Sequence, residues 1–361
     1  MHDSAGYFFS VFELFFPLTF ILPHFQEINL VPTLQNDRIL MKTILTVFRL
    51  IGCWVLMACA SAMPILDAGT LSLLESPQTI EIRDGDQVML VYHKTPVPQP
   101  EGQDPVYARS GFIHPLKSPS GGVVTSIHAD DHIHHMGLWH AWVKTEHKGR
   151  HFDFWNLGGK TGKVRFVRTI SSFSESGLVG FTVQQEQVGM TEEGTQEEVI
   201  LDETLTVKVR QSGDSYLVDY DTHQTNVTDT SLVLPAYRYG GCIAYRAPYH
   251  WNKENSNYLT SEGKDRSNGH TTRGRWCAMF GPTEQGDATL AILCHPENRD
   301  APQRMRVWPD GKVFFNYVPI QETGWELKPE EPSTMRYRVV ISNGKADAQR
   351  LNSLWNQYAA N

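Results

Sequence analysis

The sequence predicts an all-β fold, a large antiparallel β-sandwich with one C-terminal helix, and three observations predict it. Short apolar runs recur along the chain, separated by turn signals such as "QSGDS" and "PDGK". In "TLTVKVR" (204–210) apolar and polar residues alternate, the mark of a strand with one wet face. Only "ADAQRLNSLWNQY" (346–358) carries a helical stripe, with Leu351, Leu354, Trp355 and Tyr358 at i, i+3, i+4 and i+7. That helix is expected to cover an edge or end of a sheet.

Residues 1–40 hold an aromatic-rich apolar run, "YFFSVFELFFPLTFIL", broken by Glu13 and Pro17. From Met41 the layout is that of a secretory signal peptide. Lys42 and Arg49 form a positive region, Leu50 to Ala58 an apolar one, and "ASA" (Ala60–Ala62) a small-residue cleavage site. The expected organisation is therefore a non-native extension (1–40), a signal peptide (41–62) and one β-sandwich domain (63–361). The mature protein is expected to be periplasmic or secreted. "LMAC", ending at Cys59, leaves a lipoprotein anchor as the alternative.

The mature segment then reads as strands. "TIEIRDGDQVMLVYH" (79–93) is two runs about an Asp-Gly turn, and the Pro-rich "PVPQPEGQDP" (96–105) is a loop. "GGVVTSI", "KVRFVRTISSF", "GLVGFTVQQEQ", "ETLTVKVRQ", "DSYLVDYDTHQ", "ATLAILCH", "KVFFNYV" and "MRYRVVIS" follow. Cys242, Cys277 and Cys294 are too widely spaced for a zinc-type pair and read as small buried apolar residues. A net charge of -8 argues against a nucleic-acid partner. Beyond the leader no apolar run approaches the roughly 20 residues of a membrane span.

Chemistry concentrates in "DHIHHMGLWHAW" (131–142), since eight of the fifteen histidines fall between His114 and His151. In an extended chain His132 and His134 share one face, opposite His135. Past Gly137, residues 138, 140 and 142 share a face, so His132, His134, His140 and Trp142 are candidates for one concave surface. Asp131 is free to orient a neighbouring imidazole. Three readings stay open: acid–base or substrate contact, ligation of a metal by His132, His134 and His135, and structural histidines. Trp139, Trp142 and Trp155, with His151, Asp153 and Asn156 of "HFDFWNLGG", add flat faces beside polar groups, which suits a sugar.

"HPLKSPSGGVVTSIHADDHIHHMGLWHAW" followed by "DFWN", with the later "ILCHPENRDAP" and "ELKPEEPSTMRYRVVISNG", resembles a bacterial family of unknown function, DUF6807. The resemblance covers roughly residues 80–345, more loosely in the middle. That family carries the label of a methane oxygenase (PmoA-like), which would need several membrane runs that this mature chain lacks. The resemblance implies a galactose mutarotase-like supersandwich, in which a histidine and a late carboxylate work on a sugar across a concave sheet face. It adds His295, Glu297 and Asn298 from "HPEN", Tyr239 and Arg246 from "YGG" and its following arginine, and Glu322 as the late carboxylate.

The expectation is an exported carbohydrate-active protein that works on a sugar ring by His/carboxylate acid–base chemistry, epimerase- or glycosidase-like. His134, His135, Glu322 and Asp131 are its catalytic candidates. His132, His140, Trp142, Trp155, Tyr239, Arg246, His295 and Asn298 are its substrate contacts, with a sugar or oligosaccharide as partner and no cofactor. A non-catalytic sugar-binding module and a His-ligated metal enzyme are the alternatives.

Overall fold

Alternation along the strands builds two large antiparallel sheets. A computed structural model describes residues 71–190 and 196–360. The expected extension, signal peptide and Cys59 lie outside the described residues. The first sheet has the order β1 (Leu71–Glu75), β2 (Thr79–Asp84), β3 (Gln87–His93), β4 (Phe112–Leu116), β7 (Leu138–Ala141), β15 (Gly241–Arg246), β20 (Phe314–Val318), β19 (Arg304–Val307). The second has the order β10 (Gly162–Glu175), β11 (Leu178–Met190), β12 (Glu197–Ser212), β13 (Ser215–Asn226), β22 (Pro332–Asn343), β18 (Gly286–Cys294), β17 (Trp276–Thr283), β16 (Asn257–Thr260).

Two smaller sheets complete the β structure. One runs β21 (Trp325–Leu327), β14 (Leu232–Leu234), β8 (Thr145–His147), β9 (Arg150–Phe152). The other is the hairpin β5 (Ile127–Ala129) with β6 (His132–Met136). The Asp-Gly hairpin forms as expected, with Gly85 at a φ of 57°. The run at 121–127 is not a strand over most of its length. Gly121 and Gly122 close a turn in which Ser118 N–H donates to the Gly122 carbonyl at 2.8 Å, and β5 begins only at Ile127.

Between the large sheets lies the main core. In β12, Leu205, Val207 and Val209 are buried while Thr206, Lys208 and Arg210 are partly exposed, so the alternation read in "TLTVKVR" is that of an inner and an outer face. The three cysteines are free and buried. Helix α1 (Ala348–Ala359) is capped by Asp347, whose side chain accepts from Gln349 N and Arg350 N. Its Leu351, Leu354 and Tyr358 pack with Trp276, Leu293 and Val340. These alternate along their strands with the core residues Cys277, Ile292 and Val339, so the helix covers the outer face of the second sheet rather than an edge.

The core also contains polar groups. His140 Nδ1 lies 3.0 Å from both Glu203 oxygens. Thr222 Oγ1 donates to Glu203 at 2.6 Å, and Gln224 Nε2 approaches it at 3.3 Å. Trp142 Nε1 donates to Gln224 Oε1 at 2.9 Å, and Arg109 donates to the His140 carbonyl at 2.7 Å. Burial pushes the Glu203 carboxyl up, but the neighbouring His140 and the hydrogen bonds from Thr222 and Gln224 outweigh it and hold the group below its ordinary value.

Removing one member of such a pair strands the other in a medium that cannot solvate it. Glu203→Ala is expected to cost about 3–5 kcal/mol, read from equilibrium urea unfolding. A loss under about 1 kcal/mol would refute a structural role for the pair. Because the folded-state value is the lower one, this contribution is complete above the unfolded value of 4.5 and fades as pH falls through the depressed one.

Candidate functional site

Gly137 joins the histidine strand β6 to β7 at a φ of 61°, where a Cβ would stand 2.3 Å from the Ile113 carbonyl oxygen. Only glycine fits that corner. Its N–H donates to the Ser126 carbonyl and its carbonyl accepts from Arg246 N–H, both at 2.8 Å. The corner therefore fixes the histidine hairpin to the first sheet and Arg246 to the hairpin.

Register then sorts the side chains. Trp139 pairs with Ala244, Ala244 with Asn316, and Asn316 with Arg306. Paired residues share a face, so Trp139, Arg306 and Phe314 lie on the face turned away from the second sheet. His140 and Trp142 share a face as expected, but it is the interior one. Both are buried in the Glu203 network, and this corrects their assignment as substrate contacts.

On the outer face, Asp131, His132, His134, His135, Trp155, Asn156, Arg238, Tyr239, Arg306, Trp308 and Phe314 line a hollow of about 550 Å³. Three imidazoles meet there. The His132 and His134 ring centres are 5.6 Å apart, those of His132 and His135 are 4.7 Å apart, and those of His134 and His135 are 4.8 Å apart. His135 stacks on Phe314 at 4.6 Å, and Trp308 meets His132 edge-on at 4.7 Å. Trp155 packs against Tyr239 at 5.7 Å, and the Tyr239 hydroxyl donates to Asn156 Oδ1 at 3.2 Å. Asp153 Oδ1 holds that turn by accepting from Trp155 N–H and Asn156 N–H.

Charge is arranged unevenly. Arg246 is buried behind the hollow and donates to Asp131 Oδ1, while its other terminal nitrogen donates to His135 Nδ1 at 3.3 Å. That bond leaves the His135 proton on Nε2. Asp131 Oδ2 lies 3.1 Å from His132 Nδ1, a close approach that falls off the line of a hydrogen bond. Lys312 stands 3.7 Å from Asp131 Oδ1. Burial favours protonation of Asp131, but Arg246 and His132 outweigh it and keep the carboxyl below its usual value.

Burial, with His132, Arg109 and Arg246 nearby, lowers the His134 pKa to about 3. His135 is pushed well below its ordinary value by burial, His134 and Arg246. Both rings are thus neutral at pH 7.

The His132 and His135 planes stack at 23°, so their ring nitrogens do not point at one spot. Among the described residues no group of three His, Cys, Asp or Glu has metal-holding geometry.

Three other candidates lie elsewhere. Glu322 is exposed and paired with Arg273 at 2.8 Å and with Arg304. It does not line the hollow, because two arginines hold it on the loop after β20. His295 lies at the end of β18, edge-on to Tyr358 of the helix at 5.1 Å, and its Nδ1 accepts from Glu297 N–H. Asn298 is spent on β22, donating to the Arg336 carbonyl and accepting from its N–H, both at 2.7 Å. The "HPEN" segment is thus a structural turn here, and its Glu297 pairs with Arg336.

The hollow gathers Asp131, His132, His134, His135, Trp155 and Tyr239, with Arg246 directly behind. Arg238, Arg306, Trp308 and Phe314 join it unannounced. Arg238 adjoins "YGG", and Phe314 lies in "KVFFNYV", but only strand pairing shows that 306 and 308 belong there.

The histidine pKa values have a measurable consequence. In an NMR titration the His134 and His135 rings are expected to show no midpoint between pH 5 and 8, and a midpoint near 6.5 for either would contradict this geometry. The unfolded chain takes up those protons near 6.5 and the folded one does not, so their contribution to stability is complete above 6.5 and declines below it.

Among solved structures, the chain is similar to a galactose mutarotase related enzyme from Lactobacillus acidophilus, at 10% identity and a TM-score of 0.37, covering 77% of this chain and 99% of that one. It is also similar to a heparan sulfate lyase from Pedobacter heparinus, at 10% identity and a TM-score of 0.38, with 77% of this chain and 37% of the lyase covered. An alpha-galactosidase from Geobacillus stearothermophilus gives 10% identity and a TM-score of 0.30, with 76% of this chain and 40% of the enzyme covered. The chain thus spans well under half of the lyase and of the galactosidase. No curated protein matches it in sequence. A family model does match, over residues 79–356, and by that extent the chain belongs to the family of unknown function DUF6807.

Proposed function

We propose that this protein is an exported carbohydrate-active protein whose outer-face hollow binds a sugar and moves protons on its ring through histidine. The observation that carries this reading is the meeting of aromatic walls with imidazoles and a carboxylate in one open hollow of about 550 Å³. Trp308 and Tyr239, both half-buried, offer flat faces for sugar C–H groups above a floor that includes the buried Trp155, and His132, His134 and Asn156 offer hydrogen-bonding groups for hydroxyls.

His134 is neutral and half-buried, so it can accept a proton without first losing one. Its low proton affinity makes it a weak base, and that shifts the role of principal acid–base group to His132 beside Asp131. In a mutarotase-like reaction one group takes the anomeric hydroxyl proton while another supplies a proton to the ring oxygen. Glycoside hydrolysis by paired carboxylates needs a second acid across the bond, and Asp131 is the only carboxylate lining the hollow among the described residues. Proton transfer on the ring is therefore the better-supported chemistry.

A non-catalytic sugar-binding module is the second reading. It is favoured by the grip of Arg246 and Lys312 on Asp131, which leaves that carboxylate less able to drive a histidine. A thermal-shift and calorimetric screen against mono- and oligosaccharides tests both readings, with sugar interconversion followed by NMR. For an enzyme, His132→Ala and His134→Ala are expected to reduce turnover by about 10²- to 10⁴-fold. For a binding module the same changes cost only a few-fold in affinity. Failure of every sugar to bind would end both readings. A stoichiometric transition metal in the purified protein would favour the third, a metal-dependent enzyme.

A further inference from the structure

We propose that the sugar bound in this hollow carries an anionic group, read by Arg238 and Arg306. This rests on the reading of the hollow as a sugar site and names its substrate class.

The two guanidiniums approach the same ring. The Arg306 guanidinium carbon stands 5.2 Å from the Tyr239 ring centre and that of Arg238 stands 5.7 Å from it. Arg306 also lies 5.5 Å from the Trp308 ring. Two like charges in one hollow repel, and partial burial of Arg306 adds to the cost. Burial and the neighbouring Arg238 both depress the Arg306 pKa.

A protein that kept these groups for stability would supply a carboxylate. The chain has 40 acidic residues and a net charge of -8, yet among the described residues neither guanidinium forms an ion pair. Asp131 is committed to Arg246 and Lys312. Asp153 is committed to the Trp155–Asn156 turn. The histidines offer no compensating negative charge. An acidic protein has thus kept a cationic hollow without an internal counter-ion.

The missing partner is an oxyanion. Guanidinium donors match carboxylate, sulfate and phosphate oxygens in pairs, and the Tyr239 and Trp308 rings beside them hold both guanidiniums at the lining of the hollow. The hollow suits an acidic carbohydrate, a uronic acid or a sulfated sugar, with its anionic group at the Arg238 and Arg306 side and its ring toward Trp308 and the histidines.

Matched probes test this by calorimetry on the intact protein: galacturonate and its trimer, galactose and its trimer, galactose 6-sulfate, and inorganic sulfate. The acidic sugars are expected to bind about tenfold or more tightly than their neutral twins. That margin should shrink as salt rises from about 0.02 to about 0.5 M. Galacturonate ahead of galactose 6-sulfate identifies a carboxylate as the preferred group, and the reverse order a sulfate; either supports the proposal.

Arg238→Gln and Arg306→Gln should each remove most of the margin, read as the ratio of acidic- to neutral-sugar affinity in the same variant. Neutral sugars binding as well as acidic ones would overturn this inference and leave the sugar-site reading intact. So would inorganic sulfate binding as tightly as the acidic sugars, which would mark an adventitious ion only. An acid preference that survives in the double variant would refute the assignment to these two arginines. Binding of none of the sugars would overturn both readings together.

Discussion

The corner at Gly137 decides what this molecule can do. Strict alternation from His134 would carry 136, 138 and 140 on one face. The positive φ at Gly137 moves the chain from the β5–β6 hairpin onto the first sheet. Trp139 then faces outward with His135 at 5.1 Å, and His140 turns inward toward Glu203. One histidine-rich stretch is thereby split between a solvent-facing hollow and an interior network. The carbonyl of the same glycine holds Arg246, which in turn holds Asp131 and His135.

The two polar groupings obey opposite rules. Inside, Glu203 is surrounded by partners: it lies against His140, accepts from Thr222 and is approached by Gln224, while Arg109 donates to two carbonyls. That is what burial demands of polar groups. Outside, cations outnumber anions, and Arg238 and Arg306 share an aromatic ring instead of a carboxylate.

Much of the fold could be read from single strands. The alternation in "TLTVKVR" marked an amphipathic strand, and the stripe of Leu351, Leu354 and Tyr358 marked the helix. The same alternation, extended back one residue, places Glu203 in phase with buried Leu205 and Val207. Short strands such as β8, β9, β14 and β21 carry too few residues for a period to show. The site was half legible: the cluster from Asp131 to His135, Trp155 and Tyr239 stood out by composition or resemblance. Arg306 and Trp308 enter through pairing of β19 with β20, a non-local fact that no local pattern encodes. Glu322 looked like a late carboxylate, but two arginines occupy it elsewhere.

Helix α1 gives the sandwich a back and a front. Its apolar residues shield the outer side of the second sheet, and Trp355 Nε1 ties it down by donating to the Cys294 carbonyl at 2.9 Å. The hollow opens from the other sheet, on the opposite side of the sandwich. A fluorescent reporter or surface tether grafted after the helix would therefore sit behind the molecule. The front, with the mouth of the hollow, would stay open to solvent.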